Sequence, residues 1–349
     1  MFTLFISINQ NKALLLSALV AMLMSSGSVA QDIDDACVLK IVKEASDTLT
    51  VAEIRRQCIK ATIAEVEIAD TTSVEPLIMT GALHDRIMGE KKTELNPYVI
   101  TPHRMTYILP ALTTNSINKH AYRSLEGFEE NLEDIEAKFQ ISLKAPLNRN
   151  DLFIEGDGVY LGFTLQAWWQ IYAQGISRPF RETNYQPEIF YAAPLGFHPL
   201  GGNTGVMVGI EHQSNGRGQG LSRSWNRIYS NFLFEKENFA LSFRPWIRLS
   251  ESQKQYELDP DGDDNPDIED YMGHFELGMA YKWDTIEVSF LGRRNVDTNK
   301  GFIEIGFTFP LLGKLKGYVT ASDGYGESLI DYNYRQTRFG LGIALNNIL

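Results

Sequence analysis

The run from His212 to Asn226 holds the residue types of a serine nucleophile and the groups that would activate it. A serine hydroxyl is a poor nucleophile until a base takes its proton. Histidine is such a base near neutral pH, and a third side chain with an acceptor oxygen fixes the imidazole tautomer. His212, Ser214 and Asn226 supply one of each. His212 and Ser214 are two residues apart, so on a β-strand they share a face. In the run Val206 to Ser214, the even positions are Val206, Val208, Ile210, His212 and Ser214. From Asn226 to Phe234 they are Asn226, Ile228, Ser230, Phe232 and Phe234. The even side is apolar in both, so the three polar residues project from an apolar wall at its rim. Polar groups there are costly unless they satisfy one another. Spacing alone leaves two readings open: a nucleophile, base and orienting residue, or side chains that hydrogen-bond lipid headgroups.

The elements that must position them follow a period of two from about residue 97 onward. Phe239 to Ser250 sets Leu241, Phe243, Pro245, Ile247 and Leu249 against Ser242, Arg244, Trp246 and Arg248. Phe302 to Phe309, Arg338 to Asn346 and Tyr160 to Gln170 alternate in the same way. The polar faces carry charged residues with small ones between them, which suits the inside of a barrel, and the smooth apolar faces suit lipid. Twelve such segments are expected, near 97–114, 133–148, 159–172, 186–195, 203–214, 224–236, 239–250, 271–283, 285–294, 301–311, 315–323 and 336–347. Short connections at 236–238, 283–285 and 312–314 alternate with long ones near 115–132, 173–185, 215–223, 251–270 and 324–335. The fold class expected is therefore all-β: a twelve-stranded antiparallel transmembrane β-barrel over residues 96–349. Trp168, Trp169, Tyr172, Trp225, Trp246 and Trp283 near strand ends fit an interfacial girdle.

The first 30 residues carry one charged side chain, Lys12, then an apolar run from Ala13 to Met24 and a small-residue ending at Ala30. This reads as a cleaved secretory signal peptide, with the mature chain expected to begin near Gln31. Residues 31–95 are expected to form a short, partly helical periplasmic extension. Its Cys37 and Cys58 are expected to pair as a disulfide, with free thiols as the alternative. The net charge of −12 argues against a nucleic-acid partner.

The run from His212 to Arg217 with Ser222 to Arg227 closely resembles the signature of the bacterial outer-membrane phospholipase A family. So do Pro179 to Tyr185, Asp263 to Asp267 with Tyr271 to Gly273, and Gly324 to Asn333. The blocks lie in order across about residues 97–349. The resemblance implies a twelve-stranded barrel that hydrolyses acyl esters of membrane phospholipids with little choice between acyl positions, and lysophospholipids too. It implies Ser214 as nucleophile, His212 as base, Asn226 as orienting partner and the Gly216 N–H in the oxyanion hole. Ca²⁺ is implied as cofactor, held by the Ser222 hydroxyl, the Arg217 carbonyl and, from a second subunit, the carbonyl at Ser177. Activity would then be switched on by homodimerisation, with Leu161, Phe163 and Leu165 on a candidate contact face. Gln219 stands where the family can carry an aspartate for a weaker calcium site. Asp264 is a further candidate ligand, with a solvated acidic loop as the alternative. Glu327 and Asp331 read as solvated loop residues, with a metal role as the alternative.

The rival reading is a non-enzymatic barrel, a pore or an adhesin. A pore would place its working charges in the lumen, at Arg244, Arg248, Glu304 and Lys282, although mixed charges there more often pack as ion pairs. An outer-membrane protease would need a cluster of rim acids, and none is evident.

Overall fold

The computed structural model describes residues 80–349 apart from 257, 258, 260 and 261. The expected signal peptide, the Cys37 and Cys58 pair and most of the N-terminal extension lie outside the described residues. The described chain opens with helix α1 (Ala82–Lys91). Strands β1 (Thr101–Pro102), β2 (Tyr107–Thr114), β3 (Ile135–Pro146) and β4 (Gly158–Trp169) follow. Next come β5 (Phe180–Leu195), β6 (Asn203–Ser214), β7 (Ser224–Lys236) and β8 (Phe239–Leu249), then the short helix α2 (Ile268–Met272). The last strands are β9 (Phe275–Trp283), β10 (Ile286–Arg294), β11 (Gly301–Leu312), β12 (Leu315–Tyr325) and β13 (Arg335–Ala344).

Each strand from β2 to β13 pairs antiparallel with its sequence neighbours, and β13 pairs back to β2, so the sheet closes on itself. Closure leaves no sheet edge for hydrocarbon to meet. The two-residue β1 is not an extra stave. Thr101 pairs with Lys144 and Tyr107 with Gln140, so β1 and β2 lie end to end along β3 as one broken stave. Twelve staves stand, as the alternation predicts.

Several strand limits shift by a few residues from expectation, and two of the shifts have a clear cause. β5 begins at Phe180, six residues before the expected start, because Glu182, Asn184, Gln186 and Glu188 form a polar inner face. Residues 271 and 272 belong to α2 rather than to the eighth stave.

Parity sorts the side chains. Ile210 is 45% exposed on the outer wall while its neighbour Glu211 is 2% exposed inside. Leu161, Ile303, Ile305, Phe339 and Leu341 are likewise exposed to the outside. The same rule corrects the aromatic girdle: Trp168, Trp225 and Trp246 face inward and are buried, whereas Trp169, Tyr172 and Trp283 are exposed. The guanidinium of Arg227 stacks 3.8 Å from the Trp225 ring centroid, and the Lys138 ammonium lies 5.0 Å from that of Trp168. The inward rings are thus partners for buried cations.

The interior is filled by ion pairs. Glu188 binds His103 at 2.9 Å and Tyr229 at 2.5 Å. Glu211 binds Arg244 at 2.7 Å and also Arg227 and Gln186. Nearer the long-loop end, Glu136 lies between Arg181 at 2.9 Å and Arg338 at 2.8 Å. Arg181 also binds Asp331 at 2.9 Å, and Lys138 binds Glu327 at 2.8 Å. Glu327 and Asp331 are therefore buried, not solvated: their loop folds down over cations left by β3 and β5, and burying those cations alone would be prohibitive. At the opposite mouth, α1 receives the Glu235 carboxylate on its first N–H groups, a favourable end for an anion. Arg86 reaches the carbonyl oxygens of Asn347 and Ile348 at 2.9 and 2.6 Å. These bonds tie the helix to the barrel.

Candidate active site

β6 and β7 run side by side with His212 opposite Asn226 and Ser214 opposite Ser224. Both strands turn their even residues outward, so His212, Ser214, Ser224 and Asn226 share the outer wall beside the exposed Val208 and Ile210. His212 Nδ1 lies 2.8 Å from Asn226 Oδ1. With Oδ1 as acceptor, Nδ1 carries the proton and Nε2 is left as the base. Ser214 lies two residues along the same face as His212; among the described residues no hydrogen bond joins the two. Catalytic contacts of this kind often close only around substrate.

Beyond Ser214 the chain leaves the sheet in a loop pinned by Asn215, which is buried. Asn215 Oδ1 accepts the N–H of Arg223 at 3.0 Å and of Arg217 at 3.2 Å, and its Nδ2 donates to the Leu221 carbonyl at 2.8 Å. Gly216 follows with φ of 62°, in the left-handed region that glycine enters without strain. Any Cβ there would also come 3.3 Å from the Tyr185 ring. The Gly216 N–H donates to no protein acceptor among the described residues. Arg217 turns its guanidinium back to the carbonyl oxygens of Phe180 and Arg181, at 2.9 and 2.8 Å. Its own carbonyl accepts no hydrogen bond among the described residues.

Ser222 closes the loop and donates to the Asp264 carboxylate at 2.5 Å. The other Asp264 oxygen lies 2.5 Å from the Lys254 ammonium. Asp264 is thus at the serine, not adrift in a solvated loop. Ser177 is exposed in the loop between β4 and β5, and among the described residues no hydrogen bond joins it to these groups. No group of three or more acidic, histidine or cysteine side chains capable of holding a metal occurs among the described residues.

The family model for phospholipase A1 matches residues 83–345. The chain belongs to the phospholipase A1 family. A phospholipase A1 from Klebsiella pneumoniae is 37% identical over 256 residues, 72% of this chain and 84% of the relative. The solved outer membrane phospholipase A from Escherichia coli superposes with a TM-score of 0.69 at 34% identity, covering 75% of this chain and 98% of the other. A calcium-bound dimer of the Salmonella typhi outer membrane phospholipase gives 0.69 at 35% identity, with the same coverage of 75% and 98%. This family member is therefore a phospholipase, and its closed barrel is of the outer-membrane kind.

Several residues of the site escaped sequence reasoning. Asn265 Oδ1 accepts the N–H of Ser224 at 3.0 Å and holds the loop that carries Asp264 against β7. Glu251, two residues past the end of β8, accepts from Asn226 Nδ2 at 2.8 Å. Burial and the neighbouring Asp263 hold the Glu251 carboxyl above the ordinary range. Strand register could have found it: Leu249 pairs with Asn226, and residue 251 continues the outward face.

Proposed function

We propose that this chain hydrolyses the acyl esters of glycerophospholipids at either position, and of lysophospholipids, with Ser214 as nucleophile, His212 as base and Asn226 as orienting residue. The observation that carries the reading is the His212–Asn226 hydrogen bond on the lipid-facing wall, with Ser214 on the same face. A phospholipid in the outer leaflet reaches that wall without leaving the bilayer.

Ser214 Oγ attacks the ester carbonyl carbon as its proton passes to His212 Nε2. Asn226 Oδ1 holds the Nδ1–H throughout. The new oxyanion faces the free Gly216 N–H. Collapse breaks the bond to the alcohol, which leaves with the proton from His212. Water then repeats the sequence on the acyl-serine and releases the fatty acid.

The loop also suits a hard cation. The Ser222 hydroxyl, the Asp264 carboxylate and the unbonded Arg217 carbonyl are all oxygen donors, and the Lys254 ammonium already rests on Asp264. With the partner's Ser177 carbonyl these would hold Ca²⁺. The ion would supply positive charge beside the developing oxyanion. A site divided between two copies makes homodimerisation the switch, with Leu161, Phe163 and Leu165 on the contact face. The calcium-bound dimer of the Salmonella typhi relative supports this reading. The chain would reach the outer membrane by a cleaved signal peptide over residues 1–30, with residues 31–95 as a periplasmic extension.

The test is phospholipid hydrolysis in mixed micelles, with calcium and with chelator, for wild type and Ser214→Ala. Loss of hydrolysis in the folded variant and under chelation is expected. Hydrolysis by Ser214→Ala would refute the nucleophile. The pore reading is disfavoured because Arg244 and Arg248 are paired with Glu211 and Asp263. Conductance in planar bilayers would revive it.

A further inference from the structure

Asn226 poses a problem that the triad does not solve. The two ends of a carboxamide are nearly alike in size, and a flipped Asn226 would present its NH2 to His212 Nδ1. That ring nitrogen would then have to accept, the proton would sit on Nε2, and His212 could not take the Ser214 proton. Asparagine is also neutral, so it lacks the charge with which an aspartate stabilises an imidazolium.

Glu251 addresses both. Its Oε1 lies 2.8 Å from Asn226 Nδ2. An ionised carboxylate only accepts hydrogen bonds. It therefore holds the NH2 end of the amide and turns Oδ1 toward His212. The charges around it are otherwise matched: Asp263 with Arg248 at 2.7 Å, and Asp264 with Lys254 at 2.5 Å. On β7, Arg227 faces inward and is paired with Glu211. Arg223, on the loop before β7, donates to the Ser222 carbonyl at 2.6 Å. Glu251 has no ion-pair partner among the described residues, and Arg248, the cation that acts on it at longer range, is bound to Asp263.

We propose that Glu251 is a positioning residue for hydrolysis: through Asn226 it fixes the His212 tautomer, and its charge supports the imidazolium formed in each step. The chain Glu251–Asn226–His212 would do over two hydrogen bonds what an aspartate does over one. It also explains an asparagine at 226, because an aspartate there would set two carboxylates against each other.

The proposal rests on the assignment of Ser214, His212 and Asn226, and its test separates the two. Full-length wild type, Glu251→Gln, Glu251→Ala and Ser214→Ala are assayed on phospholipid micelles at saturating calcium across pH. Glu251→Gln keeps an acceptor but loses the charge and the unique orientation. Its kcat should fall about tenfold with KM unchanged, and its acid limb should move down by about half to one pH unit. Glu251→Ala should fall further. Asn226→Asp should be poorly active in the wild-type background and regain activity when combined with Glu251→Gln, an outcome that simple misfolding would not produce. An unmoved acid limb with wild-type kcat in Glu251→Gln would overturn the proposal, as would no gain in the double variant. Both outcomes leave the triad standing if Ser214→Ala is inactive; if Ser214→Ala is active, the triad itself falls.

Discussion

Replacing Asn215 by alanine tests whether the loop after Ser214 is held by one buried amide. Asn215 lies between Ser214 and Gly216 and makes side-chain bonds of 2.8, 3.0 and 3.2 Å to Leu221, Arg223 and Arg217. A fourth contact, to Glu182 at 3.4 Å, is too long to count for much. Three bonds at a net ~0.5–1.5 kcal/mol each sum to roughly 1.5–4.5 kcal/mol. That free energy holds the loop rather than the barrel, whose interior pairs at Glu136, Glu188 and Glu211 are untouched. If it all goes into placing the Gly216 N–H, the Arg217 carbonyl and Ser222, then kcat/KM should fall roughly 10- to 1,000-fold. The calcium needed for half-maximal rate should rise with it, because the Arg217 carbonyl and Ser222 lie at the two ends of the pinned loop. The assay is a calcium titration of hydrolysis with a thermal melt of the same sample. A wild-type rate and wild-type calcium dependence in Asn215→Ala would refute the argument.

Two further outcomes are expected. Lys254→Gln removes the ammonium that rests on Asp264 and should lower the calcium required for half-maximal hydrolysis; an unchanged titration would separate Asp264 from the ion. Asp157, in the turn before β4, is subject to burial, which pushes its carboxyl up. The backbone N–H groups of Leu152, Phe153 and Ile154 and the Tyr191 hydroxyl prevail and hold it at about 2. Because the folded value is depressed, its contribution is complete above the ordinary aspartate range near ~4 and fades as pH falls toward 2. Asp157→Asn should loosen the turn by about 1–3 kcal/mol, read as faster hydrogen exchange over 147–157 at neutral pH with hydrolysis unchanged.

The barrel was legible because most of its staves alternate between an outer face for lipid and an inner face for ion pairs, although runs such as Glu136, Ala137 and Lys138, all buried, break the rule locally. Parity at Val208, Ile210 and Ile228 is enough to place His212, Ser214 and Asn226 on the outside. The same parity, applied to Trp168, Trp225 and Trp246, would have turned those rings inward; their position near strand ends suggested otherwise. The start of β5 was hidden because Arg181, Glu182 and Asn184 are all buried polar residues, which read as a loop when water is assumed inside. Glu327 and Asp331 were misread for the same reason, since their partners Lys138 and Arg181 lie far away in sequence. Asp264 and Glu251 sit beyond regular strand, where loop closure rather than periodicity sets position.

The interior ion pairs have a consequence for the membrane that carries the protein. The bore is occupied by Glu188, Glu211, Arg227 and Arg244, and one mouth is held by α1, while His212, Ser214 and Asn226 lie on the outer wall. A membrane could therefore hold many copies of this lipid-degrading catalyst without opening a route for polar solutes through the bore. What threatens the permeability barrier is the product, because released lysolipids and fatty acids are detergents, so control has to act on turnover rather than on passage.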